Sequence, residues 1–361
     1  MLSKIKNAIF ATNMVRLSFS NYMEGNDKYP LFLQGNSLDV LKSIPDESVN
    51  CVITSPPYWG KRQYENGGIG LEETYSEYID NLLAIISEVY RVLRKDGAFW
   101  LNIGDSYKDK HQLGIPWRIA IHMIDKGWIL RNDVIWYKIK GGMNATNDRF
   151  ASVYEDFFFF VKDSKYYFDD AAIRSKPRDT IVKNGHIVSA TGVSGKRYKR
   201  QIELSTSLSE AEKKNALEAL ENVNIKVQKG EITDYRMVIR NQQRATHSDS
   251  TLVSGRAKEL RDKGFYFLFY NPKGTLPNDV WEILPEDTQK RKEHFAPFPE
   301  SLCVIPIKST CPEDGVVLDP FSGTGTTMKV AYALGWKSVG IDLSEDYINL
   351  AKNRIEHVLN L

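Results

Sequence analysis

The sequence predicts an α/β fold: a mostly parallel sheet with helices on both faces. Short apolar runs of strand length alternate with helix-periodic segments through residues 30–170, and again through 272–361. At 361 residues, with 42% apolar and 26% charged, the chain can bury a sizeable core and exceeds the usual size of one domain. Between about 171 and 271 the alternation stops, which marks an insertion.

The elements follow in order. Leu31–Gln34 and Val49–Thr54 read as buried strands separated by a helical turn around Leu38–Leu41. Thr74 and Glu77 form a capping box, and Ile79, Leu82, Leu83, Ile86, Val89, Tyr90 and Leu93 repeat at helical spacing until Gly97. Ala98–Ile103 is the next strand. A helix over Ile115–Lys126 stops at Gly127, and strands follow at Arg131–Tyr137 and Phe157–Val161. Near the end, Val316–Leu318 is a strand, Met328, Val330, Ala331 and Leu334 lie on a helix stopped by Gly335, and Lys337–Ile341 is the last strand. Both faces of such a sheet are covered.

Two loops carry chemistry. Thr54-Ser-Pro-Pro-Tyr-Trp59 leaves the second strand. Successive prolines fix two φ angles and remove two donors, so the turn is stiff and its carbonyls are free to accept. A hydroxyl before the pair and a ring after it suit a planar group bearing an amino substituent. The competing reading, a ligand for a WW or SH3 domain, belongs to polar disordered segments, whereas this turn caps an apolar strand. The second loop, Asp319-Pro-Phe-Ser-Gly-Thr-Gly-Thr326, joins a strand to a helix, and the strand after that helix ends in Asp342. This order is half of a nucleotide-binding unit with an acid placed for ribose hydroxyls. Met328 stands where a dehydrogenase fingerprint has its third glycine, and the Gly-Lys-Ser/Thr of a P-loop is absent. A nucleoside without polyphosphate remains, as in S-adenosyl-L-methionine.

Together these loops resemble the amino-group-specific DNA methyltransferases. Asp319–Thr326 is similar to their cofactor loop, Gly340-Ile-Asp-Leu343 to the ribose-binding segment and Ser55-Pro-Pro-Tyr58 to the catalytic turn. Lys292–Leu302, Gly97–Tyr107 and Asp133–Lys138 resemble further family segments. The catalytic turn precedes the cofactor loop, which is the order of the permuted beta group. The resemblance implies a Rossmann-like methyltransferase sheet in two halves, 30–170 and 272–361, with S-adenosyl-L-methionine as cofactor and no metal. It implies catalytic roles for Ser55, Pro56, Pro57 and Tyr58. Cofactor contacts fall to Asp319, Phe321, Gly323, Thr324, Gly325, Thr326, Asp342 and Phe298. Asn36 stands where the family usually has an acid, and two readings stay open: an amide beside the adenine, or a cap for the helix that follows.

The same resemblance places a target recognition domain at 171–271, where Lys196, Arg197, Lys199 and Arg200 surround Tyr198. A capped helix follows from Ser209 and Glu212, with Leu217, Leu220 and Val223 on one face. A solvated basic loop is the bland alternative. Net charge is only +2, so a DNA footprint must be local. Trp59 and the basic loop at Lys61, Arg62, Gly67, Gly68 and Gly70 are DNA candidates near the turn, with a solvated connector as the rival reading.

The implied reaction extrudes a base from the duplex and methylates its exocyclic amine. In this family serine before Pro-Pro-Tyr is typical of cytosine N4 methylation and aspartate of adenine N6, so Ser55 points to cytosine, with adenine N6 or a catalytically silent DNA-binding module as alternatives. Methylation at cytosine carbon 5 is disfavoured because no Pro-Cys pair is present. Cys51, Cys303 and Cys311 show no ligand spacing and read as buried thiols of a reducing compartment. No uncharged run approaches the ~18 residues of a membrane span, and the amino terminus lacks a cleavable signal pattern. The expected partner is double-stranded DNA, with no membrane. A soluble cytoplasmic protein of bacterial or phage origin is expected, monomer or homodimer, and a cognate restriction endonuclease is left open.

Overall fold

The computed structural model describes residues 14–61, 68–139, 147–175, 181–183, 186–188, 194–241, 255–270, 273–286 and 298–359. The chain divides into two compact units: Met1–Ala172 with Asn278–Leu361, and Ile173–Pro277.

The first unit holds an eight-stranded sheet. Its strands in chain order are β1 (Leu31–Gln34), β2 (Val49–Thr54), β3 (Leu93–Ile103), β4 (Ile129–Tyr137), β5 (Tyr154–Val161), β6 (Val280–Glu282), β7 (Val316–Asp319) and β8 (Lys337–Asp342). Across the sheet they run β1-β8-β7-β2-β3-β5-β4-β6. All neighbours are parallel except β5, which is antiparallel to both β3 and β4. That reversal follows from the link between β4 and β5. An antiparallel return between neighbouring strands needs no crossover helix.

Among the described elements, these helices flank the sheet: α1 (Ser37–Leu41), α2 (Tyr75–Val92), α3 (Ile115–Asp125), α4 (Glu300–Thr310), α5 (Thr326–Leu334) and α6 (Glu345–Leu359). The apolar faces of α1, α2 and α3 meet one side of the sheet, with Leu41, Leu82, Val89, Ile119, Phe158 and Phe160 in one core. On the other side α4 and α5 cover Trp100, Phe157, Phe159 and Trp281, and Trp100 stacks on Phe159 at 4.3 Å. Burial on both faces explains why the strands read as continuous apolar runs.

The Thr74–Glu77 capping box forms in both directions and starts α2 where expected. Its end differs from the periodicity. Leu93 continues the apolar stripe but has extended backbone, pairs with Val49 and opens β3. The register then resumes at Cys51 with Ala98, so the polar stretch 94–97 is bulged out of the ladder. A helical pattern cannot reveal this, because one apolar side chain serves either state.

The second unit has its own core. The antiparallel strands Asp234–Ile239 and Phe265–Tyr270 pair with each other, and the helices Gly195–Glu203 and Glu210–Gln228 contribute Tyr198, Ile202, Leu220 and Val223 to a cluster with Tyr235 and Met237. Ser209 and Glu212 cap the longer helix reciprocally, and Arg240 binds both Glu212 oxygens at 2.7 and 2.8 Å.

All three cysteines are buried free thiols, and Cys51 Sγ lies 3.5 Å from Thr310 Oγ1. Burial pushes the Cys51 thiol up to about 12. Among the described residues no helix is long and apolar enough to cross a membrane.

Candidate active site

Parallel strands point their carboxyl ends the same way, so loops distant in sequence meet at one edge. Here β2 and β7 are neighbours, and Thr54 Oγ1 donates to Asp319 Oδ1 at 2.6 Å across 265 positions of sequence. The proline turn and the glycine loop therefore leave adjacent strands from a shared hydrogen bond.

Asp319 is the hub of the glycine loop. It is 1% exposed; Oδ1 also accepts from Phe321 N at 3.0 Å, and Oδ2 accepts from Thr327 Oγ1 at 2.8 Å. Burial raises its carboxyl to about 6, against the lowering effect of those three donors. Gly325 has φ +73, and a Cβ there would lie 2.6 Å from Ala351 Cβ, so the loop needs glycine for both conformation and space. Thr324 is held from α6 by Arg354, which donates to its carbonyl at 2.7 Å and its hydroxyl at 2.8 Å. Thr326 opens α5, while Phe321 packs at the rim of the core.

Asp342 ends β8 beside this loop. Its Oδ2 accepts from Gly323 N and its Oδ1 from Ser344 N, each at 2.8 Å, and burial raises its carboxyl. Each oxygen keeps a lone pair for another donor. The β1 end joins the same cluster: Gly35 N donates to Asp342 O at 2.9 Å, and Ser37 Oγ donates to Pro320 O at 2.6 Å. Asn36 Oδ1 accepts from Leu38 N and caps α1, as its helix-cap reading expects. Ser322 Oγ is buried without a hydrogen-bond partner. A glycine loop, an acid with spare acceptor sites and an unsatisfied hydroxyl fit a nucleoside with vicinal hydroxyls. Phe298 packs against the β7 side of the core, just before Pro299 starts α4; residues 292–297 lie outside the described residues.

In the proline turn, the Pro57 carbonyl accepts from Tyr78 Oη at 2.8 Å, which ties the turn to α2. Tyr58 is half-buried. Its hydroxyl contacts Glu155 Oε2 at 2.8 Å, Asn102 Oδ1 at 3.2 Å and Ser55 Oγ at 3.2 Å. The ring passes over Gly104, where a Cβ would come within 2.8 Å of Cε2. Lys138 pairs with the other Glu155 oxygen and lies 4.9 Å above the Trp136 ring. Trp59 is anchored: its indole donates to Glu72 O at 2.9 Å and meets Tyr75 edge-on. Lys61 is exposed, and the chain is pinched together where Gly60 N donates to Gly70 O at 3.0 Å. Arg62 lies outside the described residues.

In the inserted unit, Lys196, Arg197, Lys199 and Arg200 are all exposed on one short helix, whereas Tyr198 is buried in that unit's core.

Sequence reasoning missed Thr54, Asn102, Lys138, Glu155 and Arg354. Thr54 is part of the strand pattern; Asn102 and Lys138 lie in the family-like segments Gly97–Tyr107 and Asp133–Lys138 with no role read for them, and Glu155 and Arg354 come from distant segments with no motif of their own. The acids around β5 were also missed. Asp156, 8% exposed, is pushed up to about 7 by burial first and then by Asp133, Asp105 and Glu155. The folded chain keeps that proton from the ordinary carboxylate range near pH ~4 up to about 7, whereas the unfolded chain does not, so stability declines as pH rises across this window and levels off above it. Asp156→Asn is expected to melt above the parent at pH 8 and to lose the advantage toward pH 4. A difference in melting temperature that ignores pH would contradict this.

A sheet of this order, with a glycine loop and an acid at neighbouring strand ends, is the architecture of the S-adenosyl-L-methionine-dependent methyltransferases. The DNA methylase family model for N6 and N4 enzymes matches residues 49–353. The type II methyltransferase M.SfiI of Streptomyces fimbriatus is 30% identical over 87% of this chain and 88% of its own length. M.SmaI of Serratia marcescens is 27% identical over 92% and 93%. Among solved structures, the PvuII DNA methyltransferase (cytosine-N4-specific) shares the fold, with a TM-score of 0.53, 18% identity and 92% of each chain covered. The chain belongs to the N6/N4 DNA methylase family: it is a DNA methyltransferase that acts on an exocyclic amine with S-adenosyl-L-methionine as methyl donor.

Proposed function

We propose that this enzyme methylates the N4 amine of cytosine at a specific DNA site and, like relatives named type II methyltransferases, serves a restriction–modification system. The observation that carries the choice of base is Ser55: a hydroxyl, not a carboxylate, stands at the head of the proline turn. A neutral hydroxyl accepts from the cytosine amine while giving its own hydrogen to a neighbour, whereas a carboxylate has no hydrogen to give and brings a charge.

The target amine is hidden in the duplex, so the base is extruded toward the turn. Ser55 Oγ and the Pro56 carbonyl accept from its two N–H groups, and the Tyr58 ring gives the base a flat surface. These bonds favour a pyramidal nitrogen whose lone pair is free to attack. When bound, S-adenosyl-L-methionine supplies an electrophilic sulfonium methyl. Asp342 holds the ribose hydroxyls, the backbone from Phe321 to Thr326 lines the methionine end, and Phe298 packs along the cofactor. Positioning of this kind supplies much of the acceleration. A serine hydroxyl is no base at its ordinary pKa, so the surplus proton leaves the amine after transfer. The Ile173–Pro277 unit is assigned target recognition, with Lys196, Arg197, Lys199 and Arg200 on phosphates together with Lys61 near the turn.

The test is nucleoside analysis of DNA incubated with tritiated S-adenosyl-L-methionine. Label in N4-methylcytosine is expected. Label in N6-methyladenine would move the reading to adenine, and no label would sink both.

A further inference from the structure

We infer that Glu155, paired with Lys138, sets together with Asn102 the direction of a hydroxyl chain through Tyr58, so that Ser55 Oγ only accepts from the target base and the site rejects a carbonyl where it takes an amine. This makes Glu155 a positioning residue for specificity, and it rests on the amine reading above.

Tyr58 Oη has one hydrogen and three polar neighbours. Glu155 offers a carboxylate oxygen at 2.8 Å, and its second oxygen faces the Lys138 ammonium. Asn102 offers its carbonyl oxygen, because its amide nitrogen is spent on Asp156 O at 3.3 Å; a flipped amide would set two oxygens against each other there. Both groups accept, so the tyrosine hydrogen goes to them. Ser55 Oγ, 3.2 Å from Tyr58 Oη, must then be the donor of that contact. Its hydrogen is committed, and only its lone pairs remain for the substrate. Burial, and then the Glu155 charge, hold the Tyr58 phenol well above its ordinary ionisation range, so the count persists across working pH.

Cytosine and uracil have the same outline and differ at position 4 in amine against carbonyl. Adenine and hypoxanthine differ likewise at position 6. Against an obligate acceptor the carbonyl member meets lone pair with lone pair, which is rejection built into the site. In Glu155→Gln the side-chain amide can donate to Tyr58 Oη, but Asn102 Oδ1 still accepts the tyrosine hydrogen. With Asn102→Ala added, Ser55 Oγ is the acceptor that remains; the chain then reverses, and the Ser55 hydrogen is released toward the base.

The experiment measures affinity of the full chain for two duplexes of its methylated site, one with the target base and one with deoxyuridine (deoxyinosine if the target is adenine). The target is set opposite an abasic position in both, which equalises the cost of extrusion. The parent is expected to prefer the amine by about tenfold or more. The Glu155→Gln/Asn102→Ala double variant is expected to bring the ratio near one, as is Tyr58→Phe, and the double variant should change nothing further in a Tyr58→Phe background. A parental preference that survives the double variant in an enzyme that still binds DNA overturns the inference. Should the double variant not fold, a preference surviving Tyr58→Phe overturns it equally. A parent that methylates no amine defeats the underlying reading instead.

Discussion

Tyr58→Ala is expected to reduce single-turnover methyl transfer by about 10²- to 10³-fold while cofactor affinity stays within about threefold. The change removes the ring surface for the base and breaks the contacts to Ser55, Asn102 and Glu155 together. It leaves Glu155 and Lys138 paired but empties the space over Gly104. None of the glycine-loop bonds involves Tyr58. Asp319 is held by Thr54, Phe321 and Thr327, and Asp342 by Gly323 and Ser344. Quench-flow on pre-bound DNA and calorimetric titration of the cofactor separate the two quantities. A parallel loss in both would show that the turn and the loop are one energetic unit.

Asp342→Ala is expected to act in the opposite sense. Two charge-assisted bonds to Gly323 N and Ser344 N disappear, along with the acceptor assigned to the ribose. With hydrogen bonds to a charged group contributing about 1.5–3 kcal/mol each, cofactor affinity should fall by about 10- to 10²-fold or more. The chemical step at saturating cofactor should change by less than about tenfold. Calorimetry of cofactor binding, with turnover at rising cofactor, checks this. If saturation fails to restore turnover, Asp342 does more than bind.

Much of this was legible before any coordinates, for definable reasons. β1 and β2 and the start of α2 matched because buried parallel strands are short apolar blocks and capping residues act locally. The proline turn and the glycine loop stood out because their backbone requirements restrict residue type. What stayed hidden depends on pairing at a distance. Nothing near Glu155 says that it meets Tyr58, since the two lie 97 positions apart and meet only because β3 and β5 are antiparallel neighbours. Leu93 was misread because apolarity is common to helix and strand. Asn36 was readable both ways because an amide caps a helix as readily as it binds a base.

The strand order constrains how the chain is made. β1 pairs with β8, and β7 lies between β8 and β2, so two strands synthesised long after β1 and β2 complete this part of the sheet. Until they leave the ribosome, β1 has no partner and β2 has one bare edge, a slow and aggregation-exposed topology. A nascent or prematurely terminated polypeptide therefore holds the proline turn but no place for the methyl donor. Methyl transfer can begin only after β7 and β8 have been synthesised and have joined the sheet.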